Sequence, residues 1–408
     1  MRKVGRISVL VFSLIMALAL VLSGCGGSKP AEKKDAPAGG GDKVVKIGVP
    51  TPMSAPGDYK SGEINLNTLK MGAEQINAAG GVNGSKIELV IGDDQGNTSK
   101  GVSLVQKMIS EDKVCAILGP WHGSVALAQA KVADEKKVPI MLHYSWPDEI
   151  TAMHSDYVFR TSPFNSEIAD LLIPYLKSKN YKTIAVLAED SSYGTGFGSA
   201  MKKAAEKEGM AATLVVFPSN AIDFTPQLMD LKRAKPQPEL LIVASVYQPM
   251  YLIPKQAHEV GLSPKTQIMA GWDYPSWSPD FWKTVGEAGK GILYPAFESA
   301  SMNLTPLGQK FKKDYKEKYK TDPPIYAYFL YDELMMVVEA VKKTGGTDPV
   351  KIAAALKDME FEGTTGKVRF ERKEGPVWNQ WMGHQTFIMQ LNNVGDMGDK
   401  AELIFPKK

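Results

Sequence analysis

The turn Gly119–Ser124 has the composition of a loop that could bind a carboxylate. It reads G-P-W-H-G-S and joins the apolar run Val114–Leu118, a predicted strand, to a predicted helix. The first turn of a helix presents backbone N–H groups without helical partners and a partial positive charge, so it favours an anion. Ser124 could cap this helix or donate its hydroxyl to a ligand, and the residue types alone leave both roles open.

Side chains that commonly carry catalysis form no catalytic motif in this sequence. It contains no G-x-S-x-G elbow, no H-E-x-x-H helix and no G-x-G-x-x-G phosphate loop. Cys115 lies inside the apolar run Val114–Leu118, which predicts an inert core thiol. His122 and His143 lack the close spacing of metal ligands. We therefore expect no enzyme, no cofactor and no metal site.

The N-terminus has the parts of an export signal. A basic start at residues 2–6 precedes the apolar run Val9–Leu22, which is short for a hydrocarbon core of about 30 Å. Cys25 then follows two small residues, an arrangement similar to the lipobox of bacterial lipoproteins. We expect a signal peptide over residues 1–25, lipid on Cys25 and a flexible linker over residues 26–42. The protein is then predicted to be anchored to a membrane on its extracytoplasmic side.

Charge and length limit the kind of protein that follows the leader. Beyond residue 42 the numbers of basic and acidic side chains are equal, which argues against a nucleic-acid partner. An apolar content of 44% is ordinary for a globular protein. About 380 residues are more than one core usually covers, so two lobes are expected.

Short apolar strands alternate with helical segments in two successive blocks. Such alternation predicts an α/β fold with parallel sheets covered by helices on both faces, and ligands of such sheets bind at the carboxyl ends of the strands. The predicted strands are Val44–Val49, Ile87–Ile91, Val114–Leu118 and Pro139–Leu142 in the first block, and Thr183–Leu187, Thr213–Phe217, Leu240–Val243 and Gln267–Ala270 in the second.

Several short motifs, taken in order, resemble a known family. They are I-G-V-P at 47–50, the segment 72–84, D-D at 93–94, L-G-P at 118–120, F-R-T at 159–161 and Y-G at 193–194. Their order and spacing resemble the type I periplasmic binding proteins of the leucine/isoleucine/valine-binding family, which serve ABC importers. The resemblance extends from about Val45 to the C-terminus.

The resemblance implies two similar Rossmann-like lobes with parallel sheets, joined by a three-segment hinge. The first lobe is expected to comprise residues 43–163 and 296–378. The second lobe is expected to comprise residues 164–295 and 379–408. Each lobe is therefore discontinuous in sequence.

In the first lobe the resemblance implies a site for the ligand's α-carboxylate and part of its α-ammonium. The turn at residues 121–124 would hold the carboxylate, while Ser145 would add a hydroxyl and the end of its strand would add backbone groups. The first-lobe residues expected at the site are Trp121, Gly123, Ser124, His143, Tyr144 and Ser145.

In the second lobe the resemblance implies residues that close over the ligand. Tyr193 and Tyr247 follow predicted strands and match this role. Asp273 matches the acid that pairs with the α-ammonium, although the family often has the longer glutamate there. Closure of the lobes would bring these residues over a ligand already bound to the first lobe.

Aromatic side chains at the strand ends predict an apolar or flat ligand. They are Trp121, Tyr144, Trp146, Trp272, Tyr274 and Trp277. A branched-chain or aromatic amino acid fits them, and an aromatic acid without an amine or a small amide is an alternative. We expect a monomer that docks on an ABC permease, with a ligand-sensing module for a receptor as the alternative role.

Overall fold

The computed structural model describes residues 44–246, 248–297 and 302–406. Residues 42–408 form one compact unit. The predicted signal peptide, the lipid site at Cys25 and the linker lie outside the described residues, as does Tyr247. Across the described ranges, none of the helices has the length and apolar character needed to cross a bilayer.

Strands and helices alternate along most of the chain. The strands are β1 (Val44–Thr51), β2 (Lys86–Asp93), β3 (Ala116–Ile117), β4 (Ile140–Leu142), β5 (Val158–Arg160), β6 (Thr183–Glu189), β7 (Ala211–Phe217), β8 (Leu240–Ala244), β9 (Gln267–Ala270), β10 (Ile292–Ala296), β11 (Glu360–Glu362), β12 (Lys367–Arg372), β13 (Trp378–Trp381), β14 (Phe387–Leu391) and β15 (Glu402–Phe405). The α-helices are α1 (Tyr59–Ala78), α2 (Thr98–Ser110), α3 (Gly123–Lys136), α4 (Glu149–Ala152), α5 (Asn165–Ser178), α6 (Ser192–Lys207), α7 (Thr225–Arg233), α8 (Gln248–Glu259), α9 (Tyr274–Trp277), α10 (Pro279–Val285), α11 (Pro306–Tyr319), α12 (Ile325–Thr344) and α13 (Pro349–Lys357).

These strands form two sheets. The first has the order β11-β12-β13-β5-β4-β3-β1-β2 and the second has the order β15-β14-β10-β9-β8-β6-β7. Strands β1 to β5 pair in parallel, and so do β6 to β10, as the alternation predicted. The sheets are nevertheless mixed, because β11, β12, β14 and β15 pair antiparallel at one edge of each sheet.

Burial along the strands follows their place in the sheets. Every residue of β8, which lies between β9 and β6 inside the second sheet, is buried, and its sequence is an unbroken apolar run. β7 is an edge strand and is largely exposed or half-buried. Helix α12 is buried around most of its circumference and packs on α1, so its apolar residues are not confined to one face.

The chain passes between the sheets three times, after β5, after β10 and after β13. Two predicted lobe boundaries need correction. Ala296 is the last residue of β10, in the second sheet, so the boundary before residue 296 is one residue early. The boundary after residue 378 falls inside β13, which pairs in parallel with β5 through Gln380 and Arg160. The first sheet therefore extends to Trp381.

Arg160 connects the two strands, β5 and β13, after which the chain leaves the first sheet. Its guanidinium is fully buried and donates from Nε to Gln380 Oε1 (2.6 Å), from Nη1 to the Pro147 carbonyl (2.7 Å) and from Nη2 to Thr151 Oγ1 (2.6 Å). Gln380 in turn donates to the Ser162 carbonyl (2.7 Å). The Arg160 side chain thus connects β5 and β13 to the segment that follows β4.

Candidate functional site

The carboxyl ends of the parallel strands in the two sheets border a cavity of about 770 Å³. From the first sheet, the loops after β3 and β4 contribute residues 121–125 and 144–146. From the second sheet, the segments that follow β6, β8 and β9 contribute most of the opposite wall. A ligand site at these strand ends is the position expected for an open α/β sheet.

Helix α3 begins at Gly123, in the cavity wall. A side chain at Gly123 would be crowded, because a Cβ there would lie 2.8 Å from Pro147 Cγ. Of the two roles left open for Ser124, the helix cap is not observed: Ser124 is the second residue of the helix, and His122 at the N-cap makes no side-chain cap. The Ser124 hydroxyl instead donates to Ser192 Oγ (3.1 Å) and accepts from the Ser192 N–H (3.1 Å), which joins the starts of α3 and α6.

Two of the three predicted site residues in the loop after β4 line the cavity, and the third does not. Tyr144 and Ser145 line the cavity, and Ser145 Oγ donates to the Trp121 carbonyl (2.7 Å). His143 is fully buried, does not line the cavity, and contacts Asn65 Oδ1 through Nε2 (3.0 Å). Burial lowers the pKa of His143 to about 3, so its imidazole is neutral.

Asp273 lies behind the cavity wall and contacts the opposite sheet. Its Oδ1 accepts a hydrogen bond from the Tyr144 hydroxyl (2.7 Å). The residue is 3% exposed and does not line the cavity. Burial raises the pKa of Asp273 to about 6, and the Tyr144 hydrogen bond opposes this rise. The hydrogen bond between Tyr144 and Asp273 therefore connects the two sides of the cavity directly.

Tyr193 and Glu189 form a polar part of the second-sheet wall. Tyr193 lies in the first turn of α6, and its ring packs edge-on against Trp146 (centroids 5.5 Å apart). Among the described residues its buried hydroxyl has no hydrogen-bond partner. Glu189, the last residue of β6, accepts from Ser191 Oγ at Oε1 (2.6 Å) and from the Val246 N–H at Oε2 (2.9 Å).

Glu189 was not among the site residues predicted from the sequence. It is 3% exposed and lines the cavity. Burial raises its pKa to about 7, although both hydrogen bonds oppose the rise. The only signal in the sequence is an acid two residues after the predicted strand Thr183–Leu187.

Aromatic rings from both sheets form the inner part of the site. Trp121 and Tyr144 stack with centroids 5.5 Å apart and planes 12° apart. Tyr326 of α12, which the sequence did not single out, packs against both rings. Of the six predicted aromatic residues, five line the cavity and Trp277 contacts the Trp272 ring from outside it.

Neither metal ligation nor thiol chemistry is supported by the surroundings of the candidate groups. The described residues contain no cluster of three or more His, Cys, Asp or Glu side chains that could hold a metal ion. Cys115 is buried, and burial raises the pKa of its thiol to about 12, so it stays protonated.

Known proteins resemble this chain over nearly its whole described length. A family model described as "Periplasmic binding protein" matches residues 44–396. "Leu/Ile/Val-binding protein homolog 7" of Brucella abortus (strain 2308) is 29% identical over 336 residues, which cover 78% of this chain and 82% of that protein. The "leucine-, isoleucine-, valine-, threonine-, and alanine-binding protein" of Pseudomonas aeruginosa is 26% identical, covering 81% of this chain and 86% of that protein.

Solved structures share the fold. The leucine binding protein LivK of Thermotoga maritima has a TM-score of 0.77 and 24% identity, covering 88% of this chain and 97% of that one. A solute binding protein of an ABC transporter from R. palustris, solved in complex with benzoate, has a TM-score of 0.74 and 20% identity, covering 89% and 96%. The two-lobed α/β fold predicted from the sequence is confirmed, and the chain belongs to the type I periplasmic binding protein family that includes the Leu/Ile/Val-binding proteins.

Proposed function

We propose that this protein is the extracytoplasmic solute-binding component of an ABC importer and that it binds a hydrophobic amino acid between its two lobes. The observation that supports this most directly is the cavity of about 770 Å³ at the strand ends of both sheets, walled by aromatic rings and by the start of α3. The names of the two relatives from Brucella abortus and Pseudomonas aeruginosa support the same class of ligand. The protein is proposed to bind and release its ligand without covalent chemistry.

The ligand's carboxylate is proposed to bind at the start of α3. Gly123 and Ser124 line the cavity there, and their N–H groups belong to the helix turn that lacks helical acceptors. The partial positive charge at this end of a 14-residue helix favours an anion. Since a Cβ at Gly123 would meet Pro147, the helix start and the loop after β4 are packed too closely for a larger residue.

The ligand's ammonium is proposed to bind Asp273, the acid implied by the family resemblance. The Tyr144 hydroxyl now occupies Oδ1 of Asp273 (2.7 Å), so an ammonium would have to replace or share this donor. A charged donor makes a stronger hydrogen bond to a carboxylate than a neutral hydroxyl does. This exchange would also free Tyr144 to turn its ring against the ligand.

Closure of the lobes is proposed as the mechanism of capture. Ligand would first contact the loops after β3 and β4, and Tyr193, Tyr247 and Asp273 would then meet it from the second lobe. A ligand favours closure only through contacts that it gains in the closed state, and the second-lobe residues supply them.

An aromatic carboxylate is a second candidate ligand. Asp273 lies behind the cavity wall, and its Oδ1 already accepts a hydrogen bond from Tyr144. This arrangement favours an aromatic carboxylate, because such a ligand needs no acid partner. Aromatic rings also line the cavity on both sides, and they suit a flat ligand. One structural neighbour was solved in complex with benzoate.

A thermal-shift screen of the purified protein, confirmed by calorimetry, tests both candidates. The protein is unfolded and refolded first so that any ligand retained through purification is removed. We expect leucine, isoleucine, valine or phenylalanine to raise the unfolding temperature, because a ligand that binds only the folded state stabilises it. Stabilisation by benzoate or 3,4-dihydroxybenzoate, with none by amino acids, would replace the first candidate by the second.

Lipid on Cys25 is proposed to hold the protein at the membrane, next to its permease. The basis is the sequence around Cys25, which follows a short apolar run and two small residues. Cys25→Ser is expected to move the protein from the membrane fraction to the soluble fraction. Retention of the variant in membranes after a high-salt wash would contradict lipid anchoring.

A further inference from the structure

The charged side chains in the cavity wall are mostly acidic. Glu189, Asp190 and Asp280 line the cavity, and Lys60 is the basic residue among the lining side chains that the structure describes. His122 also lines it, but burial lowers its pKa to about 4, so it adds no positive charge near neutral pH. Asp280 is paired with Lys283 (2.7 Å), whereas Asp190 is exposed to solvent.

Glu189 differs from the other two acids because it is buried without a basic partner. None of the ion pairs within the described residues includes it. Its two oxygens accept from the neutral donors Ser191 Oγ and Val246 N–H. Each carboxylate oxygen can accept a second hydrogen bond, so capacity remains on both. A buried carboxylate bonded only to neutral donors is costly, and a cation would offset this cost.

The Tyr193 hydroxyl is an unsatisfied polar group in the same wall. Tyr193 is 7% exposed, and its hydroxyl has no hydrogen-bond partner among the described residues. The charges of both Glu189 and Asp273 act on it and add to the effect of burial in raising its pKa. A polar ligand group at this wall would satisfy atoms that the protein leaves without partners.

We propose that Glu189, which lines the same wall as Tyr193, binds the ligand's ammonium and restricts the site to ligands that carry an amine. This inference rests on the proposed solute-binding function and names the ligand class for it. An ammonium has three N–H donors, so Glu189 adds to the contact with Asp273 and does not replace it. A ligand whose only charge is a carboxylate would bring a second negative charge to this wall and leave Glu189 unpaired, so it is rejected.

Calorimetry at pH 8 with matched ligand pairs tests the proposal. The pairs are leucine with 4-methylpentanoate and phenylalanine with 3-phenylpropanoate, which differ only in the ammonium. We expect the wild-type protein to bind the better amino acid at least about tenfold more tightly than its partner lacking the amine. Glu189→Gln should lose at least about tenfold in affinity for the amino acid. The same substitution at the exposed Glu374 should change neither affinity.

Two results would overturn the proposal, and they separate it from the proposed function. If the wild-type protein binds amino acids and Glu189→Gln binds them equally well, Glu189 is not an ammonium partner, while the amino-acid function stands. If the wild-type protein binds benzoate or the acids lacking an amine but no amino acid, both the ligand class and the amino-acid function are wrong. Circular dichroism of Glu189→Gln at the same pH checks that the variant is folded.

Discussion

Replacing Glu189 by glutamine is expected to stabilise the folded protein at pH 8. Glu189 is 3% exposed, and burial raises its pKa from 4.5 to about 7. Because a pKa difference of one corresponds to about 1.4 kcal/mol, the ionised side chain costs the folded state about 3 kcal/mol. Glutamine keeps the shape without the charge. Its amide oxygen can accept from the Val246 N–H, and the Ser191 hydroxyl can accept from its amide nitrogen.

The pH dependence of this gain in stability follows from the raised pKa of Glu189 in the folded state. The folded state binds the Glu189 proton more tightly than the unfolded state does, so the ionisation cost is absent well below pH 4.5, grows between 4.5 and about 7, and is constant above. The gain of Glu189→Gln in free energy of unfolding should therefore be about 3 kcal/mol at pH 8 and under about 1 kcal/mol at pH 5.

Guanidinium unfolding followed by tryptophan fluorescence measures both values. Glu374→Gln is the matched control, because Glu374 is exposed and the exchange is the same. It should leave the free energy of unfolding unchanged at both pH values. A Glu189→Gln variant that is less stable than the wild type at pH 8, or that gains equally at pH 5 and pH 8, would refute the reasoning.

Three further substitutions test other contacts by the same unfolding measurement. Tyr144→Phe leaves the buried Asp273 without its hydroxyl donor and should lower the free energy of unfolding by about 1–3 kcal/mol at pH 8. Gly194→Ala places a Cβ 2.3 Å from the Glu189 carbonyl oxygen, and the required shift of α6 should cost about 3 kcal/mol. Arg160→Lys cannot reproduce the guanidinium's contacts with three neighbouring segments and should cost about 3 kcal/mol. An unchanged free energy of unfolding would contradict the corresponding contact in each case.

Most of the parallel strands could be predicted from the sequence because they are short apolar runs that alternate with helical segments, and those inside the sheets are buried on both faces. β9 was predicted with its observed bounds, and β8 differs only by Ala244. The antiparallel strands β11, β12, β14 and β15 were not predicted individually. They lie toward one edge of each sheet and are not separated by helices of the predicted pattern. β11, β12 and β15 also include exposed residues, so their sequences lack a long unbroken apolar run.

The candidate site was predictable in position but not in the direction of each side chain. Tyr144 and Ser145 face the cavity while the adjacent His143 does not, and the alternation of side chains along a strand could not predict this, because all three residues lie in the loop after β4. The contact between Tyr144 and Asp273 joins residues 129 positions apart, and no local pattern indicates it. Glu189 was missed because burial of its carboxylate depends on α6 and on the loop after β8, which only the folded chain brings together.

Both sheets take their last strands from residues far along the chain from their first strands. The first sheet takes β13 from residues 378–381, and the second takes β14 and β15 from residues 387–405. A nascent chain that stops before these segments has an open strand edge on each sheet, and such edges promote aggregation. For a chain with a predicted export signal, we expect neither sheet to be complete before these late strands have also crossed the membrane.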